Sequence, residues 1–208
     1  MNKFEKVNIG YVQFGSGPSK IIALHSWMDD AESWSPTNNY LDHSQFSIAY
    51  MDVRGYGKSK NIKGYYTSDE IANDVFDLAN KLGWHQFGII GHSMCGMAAQ
   101  KAALIDTENR IQKVLLITPV SSAGFPADEQ TKAFFQSIPQ NQAQSIAAYG
   151  SFTDNRLSQT WARLRAKRHI EVTDQAAQIA YIDMWTGEDF SQQMKTVNIP
   201  FRVFIGKI

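Results

Sequence analysis

Cysteine is almost missing from this sequence of 208 residues. A single thiol, Cys95, permits no intrachain disulfide, so a cytoplasmic setting is expected. Long apolar runs are missing as well. None approaches the roughly 20 residues of a membrane span, and the opening Met1-Asn2-Lys3-Phe4-Glu5-Lys6 has no apolar signal-peptide core. An excess of either charge is absent: 20 basic residues face 20 acidic ones, for a formal charge of zero. That removes the electrostatic case for nucleic acid or an anionic membrane as partner. Internal repeats and low-complexity stretches are lacking too. What remains is 43% apolar and 19% charged, the composition of a globular protein with one domain and room for an insertion.

The apolar residues that are present come in short runs separated by helical patterns. Residues 7–14 alternate loosely and end in Gly15-Ser16-Gly17-Pro18, a strand leading into a turn. Residues 20–24 form an apolar run suited to a strand buried on both faces. Residues 46–52 form another, followed by a loop containing Gly55 and Gly57. Those glycines do not make a phosphate loop, because the P-loop lysine pattern is missing. Thr67-Ser68-Asp69-Glu70 has the form of a capping box, in which hydroxyl and glutamate each satisfy an orphan amide. Ile71, Val75, Leu78, Ala79 and Leu82 follow at helical spacing, and Gly83 is placed to close that helix. Residues 87–90 and 113–118 are two more strands around an alanine-rich helix at 97–105. Strands and helices alternating at these intervals predict a parallel α/β sheet.

Between strand and helix stands Gly91-His92-Ser93-Met94-Cys95-Gly96. A strand turning sharply into a helix around a serine is the nucleophile-elbow pattern, with Cys95 in place of its last glycine. The turn exposes the Ser93 hydroxyl, and the helix N-terminus aims backbone N–H groups at the point where an oxyanion would form. Small residues are expected two before and two after the serine, at Gly91 and Cys95, where neighbouring backbone comes close. Cys95 itself reads as a small packing residue before a reactive thiol.

Three blocks in order, Leu24-His25-Ser26-Trp27, Asp52-Val53-Arg54-Gly55-Tyr56-Gly57-Lys58-Ser59 and Gly91 to Gly96, resemble the α/β-hydrolase superfamily. The likeness is to its lidded group of small esterases, C–C-bond hydrolases and cofactor-free haloperoxidase-like proteins, and it covers essentially the whole chain. It implies a mainly parallel, doubly wound sheet in one domain over residues 1–208, with a helical lid inserted at 121–190. By position, Ser93 resembles the family's nucleophile, and the N–H groups of Met94 and Trp27 its oxyanion donors. Glycine is usual where Ser26 stands. A serine at position 93 argues against haloalkane dehalogenases and epoxide hydrolases, which use aspartate there. The expected activity is hydrolysis of a small, mostly apolar carboxylic ester or related acyl compound through a Ser93 acyl-enzyme. No cofactor and no metal are required. The alternative is a ligand-binding or signalling protein on the same fold with slow or no turnover.

An acyl-transfer serine needs a base, and the base an orienting carboxylate. The family's order is serine, acid, histidine. Only His169 follows Ser93, and it falls within the lid. His25 is expected to shape the oxyanion loop by hydrogen bonding. His43 and His85 read as surface residues, and His92 as held by the turn on a different side from Ser93. The family places its acid after the strand expected at 199–205, and its histidine after one further strand, both beyond Ile208. Residues 118–122 offer no carboxylate as a substitute. The triad is therefore expected to be incomplete within these 208 residues, with the C-terminal part of the fold missing and activity near zero.

In the lid, Phe134, Phe135 and Ile138, then Leu157, Trp161 and Leu164, then Ala177, Ala180, Tyr181 and Met184 mark at least three amphipathic helices. His25, Met28, Trp161, Tyr181, Met184 and Trp185 are the candidates to line an apolar pocket between lid and sheet. Arg163, Arg165, Lys167, Arg168 and His169 read as a solvated helix face. A dock for an acidic carrier such as coenzyme A or an acyl-carrier protein is the alternative.

Overall fold

The computed structural model describes residues 4–206. Residues 1–3, which open the N-terminal segment discussed above, and 207–208, where the chain stops, lie outside the described residues. Six strands form one sheet: β1 (Tyr11–Phe14), β2 (Ser19–Leu24), β3 (Phe46–Met51), β4 (Phe87–His92), β5 (Ile111–Ile117) and β6 (Phe201–Phe204). Their order is β1-β3-β2-β4-β5-β6. Among the described residues only the β1–β3 pair of this sheet is antiparallel. The apolar runs became central strands because both of their faces are covered: Ile22, Ala23 and Leu24 are all inaccessible to solvent.

Helix α1 (Ser68–Lys81) starts where expected, with the Thr67 hydroxyl accepting from the Glu70 amide at 3.2 Å. The reciprocal half of the box does not form. Glu70 instead accepts from the amides of Tyr65 and Tyr66, each at 2.9 Å, and faces Arg54 at 3.1 Å. A buried guanidinium takes the carboxylate that an exposed capping box would have left for the helix end. At the other end the Trp84 amide reaches back to the Ala79 carbonyl at 2.9 Å, and Gly83 has φ 67°, the left-handed closure that glycine permits.

Helix α1 and helix α2 (Met94–Ile105) pack on one face of the sheet, against Ile22, Leu24, Met51, Ile89 and Leu116. The opposite face carries Ala23, Ile48 and Tyr50 and packs on the 3₁₀ segment Ala31–Tyr40. That segment has no helical periodicity, so the sequence does not announce it.

Between β5 and β6 lie four α-helices: α3 (Glu129–Ser137), α4 (Gln142–Phe152), α5 (Gln159–Val172) and α6 (Gln175–Gly187). Each begins at a side-chain cap, from Asp128, Asn141, Ser158 and Asp174 respectively, which satisfies amides the helix cannot. The expected stripe on α5 is misplaced. Leu157 precedes the helix, Leu164 is exposed, and the buried face is Ala162, Ala166 and His169. Close packing of α4 against α5 selects small residues there, and the larger leucines are left outside.

Candidate active site

The sheet register sets two loops side by side. Leu24 lies opposite Met51 on one neighbour and Gly91 on the other, so the carboxyl ends of β2, β3 and β4 are level. The order of strands reverses between β2 and β4, the place where open α/β sheets form a crevice. The loop after β2 begins at His25, and the turn after β4 is Ser93 alone, since β4 ends at His92 and α2 starts at Met94.

Ser93 has φ 52° and ψ −119°. Such a conformation costs an L-residue on the order of 1–3 kcal/mol and persists only where its surroundings over-determine it. Here the Ser93 amide donates to the Ile117 carbonyl at 3.0 Å, and the Ser93 carbonyl accepts from Gly96 and Val120, both at 2.9 Å. A β-carbon on Gly91 would sit 2.7 Å from that of Ala99, and one on Gly96 2.5 Å from that of Pro119. The β-carbon on Gly91 would also meet the Cys95 carbonyl at 2.5 Å, so the backbone at position 95 comes close as expected, and Gly96 is a further tight position. Cys95 is wholly buried in the core between helix and sheet, and burial raises its thiol pKa. The turn of α2 points Cys95 inward and presents Gly96 to Pro119.

Ser93, Trp27 and Met94 all line a cavity of about 500 Å³ that helices α3 to α6 also border. Helical geometry leaves the Met94 amide, at the first position of α2, without an intrahelical acceptor. The Trp27 loop is held from several sides. His25 donates from Nδ1 to the Ser26 carbonyl at 2.7 Å and accepts at Nε2 from the Val53 amide at 3.2 Å. This tautomer is the one the two partners require. Burial lowers the His25 pKa, so the ring is neutral and shapes the loop as expected. The Ser26 hydroxyl donates to Asp29 at 2.7 Å, which closes the turn where the family usually has glycine. Tyr56 donates to the Trp27 carbonyl at 2.8 Å and Tyr149 to the Met28 carbonyl at 2.7 Å. Asp52, from the second block, accepts from the amides of Ala31 and Lys58 at 2.8 and 3.0 Å.

Of the six expected pocket residues, Met28, Trp161 and Trp185 line the cavity. His25, Tyr181 and Met184 do not. They are buried behind its wall, where the Tyr181 hydroxyl donates to the Arg54 carbonyl at 3.2 Å. Helix α6 is apolar and buried on several sides, so its sequence cannot tell which residue meets the cavity. The wall is completed by Phe125, Phe135, Tyr149 and Phe152. Phe135 and Trp185 meet edge to face, with centroids 4.8 Å apart. The aromatic density of the lid was the available signal for them.

The histidines are placed as follows. His43 and His85 are exposed. His92, expected on a different side, lines the same cavity as Ser93, because the cavity runs past the turn to the end of β4. Burial, then proximity to His25, lowers its pKa. His169 is buried in α5. Its Nδ1 meets the Ser145 hydroxyl at 2.9 Å and its Nε2 the Gln178 amide. Burial, offset in part by Gln178, takes its pKa down to about 4. It is neutral, both ring nitrogens are engaged, and it is not in the cavity wall. The basic run is not a solvated face throughout. Arg165 pairs with Asp29, and Arg168 donates to both carboxylate oxygens of Asp30 at 2.9 and 2.6 Å. These two arginines fasten α5 to the loop after Trp27. Among the described residues no cluster of three or more metal-ligating side chains occurs, and no helix is long and apolar enough to cross a membrane.

The family model for the alpha/beta hydrolase fold matches residues 21–203. The chain belongs to the α/β-hydrolase family. It is 26% identical to the pimeloyl-[acyl-carrier protein] methyl ester esterase of Pseudoalteromonas atlantica, over 93% of this chain and 77% of that esterase. It is 29% identical to the soluble epoxide hydrolase of a Corynebacterium species, over 51% of this chain and 36% of that enzyme. The bromoperoxidase from Bacillus anthracis superposes with a TM-score of 0.80 at 22% identity, covering 94% of this chain and 75% of that one. This α/β hydrolase therefore spans about three quarters of the esterase and of the bromoperoxidase, and about a third of the epoxide hydrolase.

Proposed function

We propose that the protein is a serine hydrolase of small, mostly apolar carboxylic esters or related acyl compounds, acting in the cytoplasm on a soluble substrate. Ser93 Oγ attacks the acyl carbon, and the N–H groups of Trp27 and Met94 hold the oxyanion. A base takes the serine proton and passes it to the leaving alcohol; water then releases the acid and returns the proton to Ser93. The observation that carries this reading is Ser93 held at φ 52° in the wall of an aromatic cavity that Trp27 and Met94 also line. A helix N-terminus and a strained turn favour charge developing on the substrate oxygen, which is where such sites gain most of their rate.

Without a base beside Ser93, only the contribution of oxyanion hole and binding remains, on the order of 10³–10⁴-fold over water. A slow-turnover receptor is the second reading. It is favoured by His25 and His169, whose ring nitrogens are all engaged elsewhere. Labelling with a fluorophosphonate probe and turnover of p-nitrophenyl acetate, each compared with Ser93→Ala, test both. Labelling that disappears in Ser93→Ala supports the hydrolase. Labelling that persists there overturns it, and turnover no faster than in Ser93→Ala favours the receptor.

A further inference from the structure

Gln178 lies in α6, far along the chain from the loop after β2, yet it grips Trp27 at two places. Its main-chain carbonyl accepts from the Trp27 indole N–H at 2.9 Å, and its side-chain amide donates to the Trp27 carbonyl at 3.2 Å. The residue is wholly buried. Its second amide hydrogen is directed to His169 Nε2, and its carbonyl oxygen faces the Thr173 hydroxyl at 3.4 Å. His169 in turn meets Ser145 of α4. Three helices, α4, α5 and α6, and the loop after β2 thus share one buried polar network. A buried amide with every hydrogen assigned resists rotation, because freeing one group leaves a desolvated polar atom unpaired. The carbonyl it holds is in the Trp27–Met28 peptide, the next unit along from the Ser26–Trp27 peptide that carries the assigned oxyanion donor and whose own carbonyl is held by His25.

We propose that Gln178 is a positioning residue for that oxyanion donor: by holding the Trp27 indole and, together with Tyr56, the Trp27 carbonyl, it fixes the Trp27 residue from α6, with His169 fixing the rotamer of the amide. This rests on the assignment of Trp27 and Ser93 in the preceding section. Because small misplacements of a donor are costly in transition-state stabilisation and cheap in ground-state binding, the effect belongs in the rate constant of the chemical step.

The test measures the rate constant and the saturation constant of fluorophosphonate labelling at Ser93 in the native chain, Gln178→Met, Gln178→Glu and Ile182→Ala. Met and Glu keep the length of the side chain and lose the amide donor. Ile182 is buried in the same helix and reports general loosening of the lid. The expected result is a labelling rate constant lower by about ten-fold or more in both Gln178 variants, with saturation within about two-fold, and near-native labelling in Ile182→Ala. Equal effects in Ile182→Ala, or native rates in Gln178→Met, overturn the proposal. Absence of labelling in the native chain bears on the hydrolase reading and its base, and not on Gln178. Hydrogen exchange of the backbone amides in residues 26–29 then decides: about ten-fold faster exchange in Gln178→Met than in Ile182→Ala supports the positioning role, and equal exchange overturns it.

Discussion

At the scale of single residues, two histidines show how burial decides chemistry. His25 and His169 are both solvent-free, and each spends its nitrogens on structure. For His169 the consequence is measurable. Its folded pKa, about 4, lies below the usual value near 6.5 of an unfolded chain. The unfolded state therefore binds the proton first as pH falls. The stability His169 contributes is whole above pH 6.5 and drains away between there and pH 4, at roughly 1.4 kcal/mol per unit and about 3 kcal/mol in all. Urea unfolding near neutral pH and near pH 4.5 should show native protein losing more stability than His169→Gln over that interval. Identical losses in the two proteins would remove His169 as the source.

At the scale of elements, the second sequence block works as a brace. Arg54 lies 3% exposed, with its guanidinium bidentate on Asp74 of α1 at 2.8 Å on each arm and also facing Glu70. It reaches the Glu5 carbonyl at 2.8 Å as well, so one side chain joins the N-terminal segment, the loop after β3 and α1. Arg54→Met leaves two carboxylates buried without a counter-charge and should cost about 3–5 kcal/mol in denaturant unfolding. The comparison is Lys63→Met, which breaks a pair to Asp174 in which the lysine is 65% exposed. That change should cost far less, because solvent screens the exposed pair. Equal costs would mean that the buried cluster is not the brace its geometry suggests.

For the whole molecule, the sheet order places the Ser93 crevice at its centre and β6 at one edge. Among the described residues β6 pairs only with β5, and Val203, Phe204 and Ile205 are 56%, 55% and 78% exposed. An apolar edge with unpaired backbone groups is a template for further strands. The 208-residue chain should associate at micromolar concentration, and Val203→Lys with Phe204→Lys should shift it toward monomer in light scattering. A native chain that is monodisperse and monomeric would contradict this.

Residue patterns by themselves determined the α/β alternation, the capped helix beginning at Ser68 and the serine between strand and helix, because each follows from spacing over a few neighbouring residues. The three ordered blocks likewise pointed to the family. They could not reveal the two-point hold of Gln178 on Trp27, the pairing of Arg165 and Arg168 with Asp29 and Asp30, or the place of His92 in the cavity wall. Nor could they say that Gly96 meets Pro119, or which side of α6 faces the cavity. Those contacts join residues brought together only when β2 and β4 pair and the lid helices settle over their carboxyl ends. Local periodicity reports that a side chain will be buried; the tertiary packing alone decides against what.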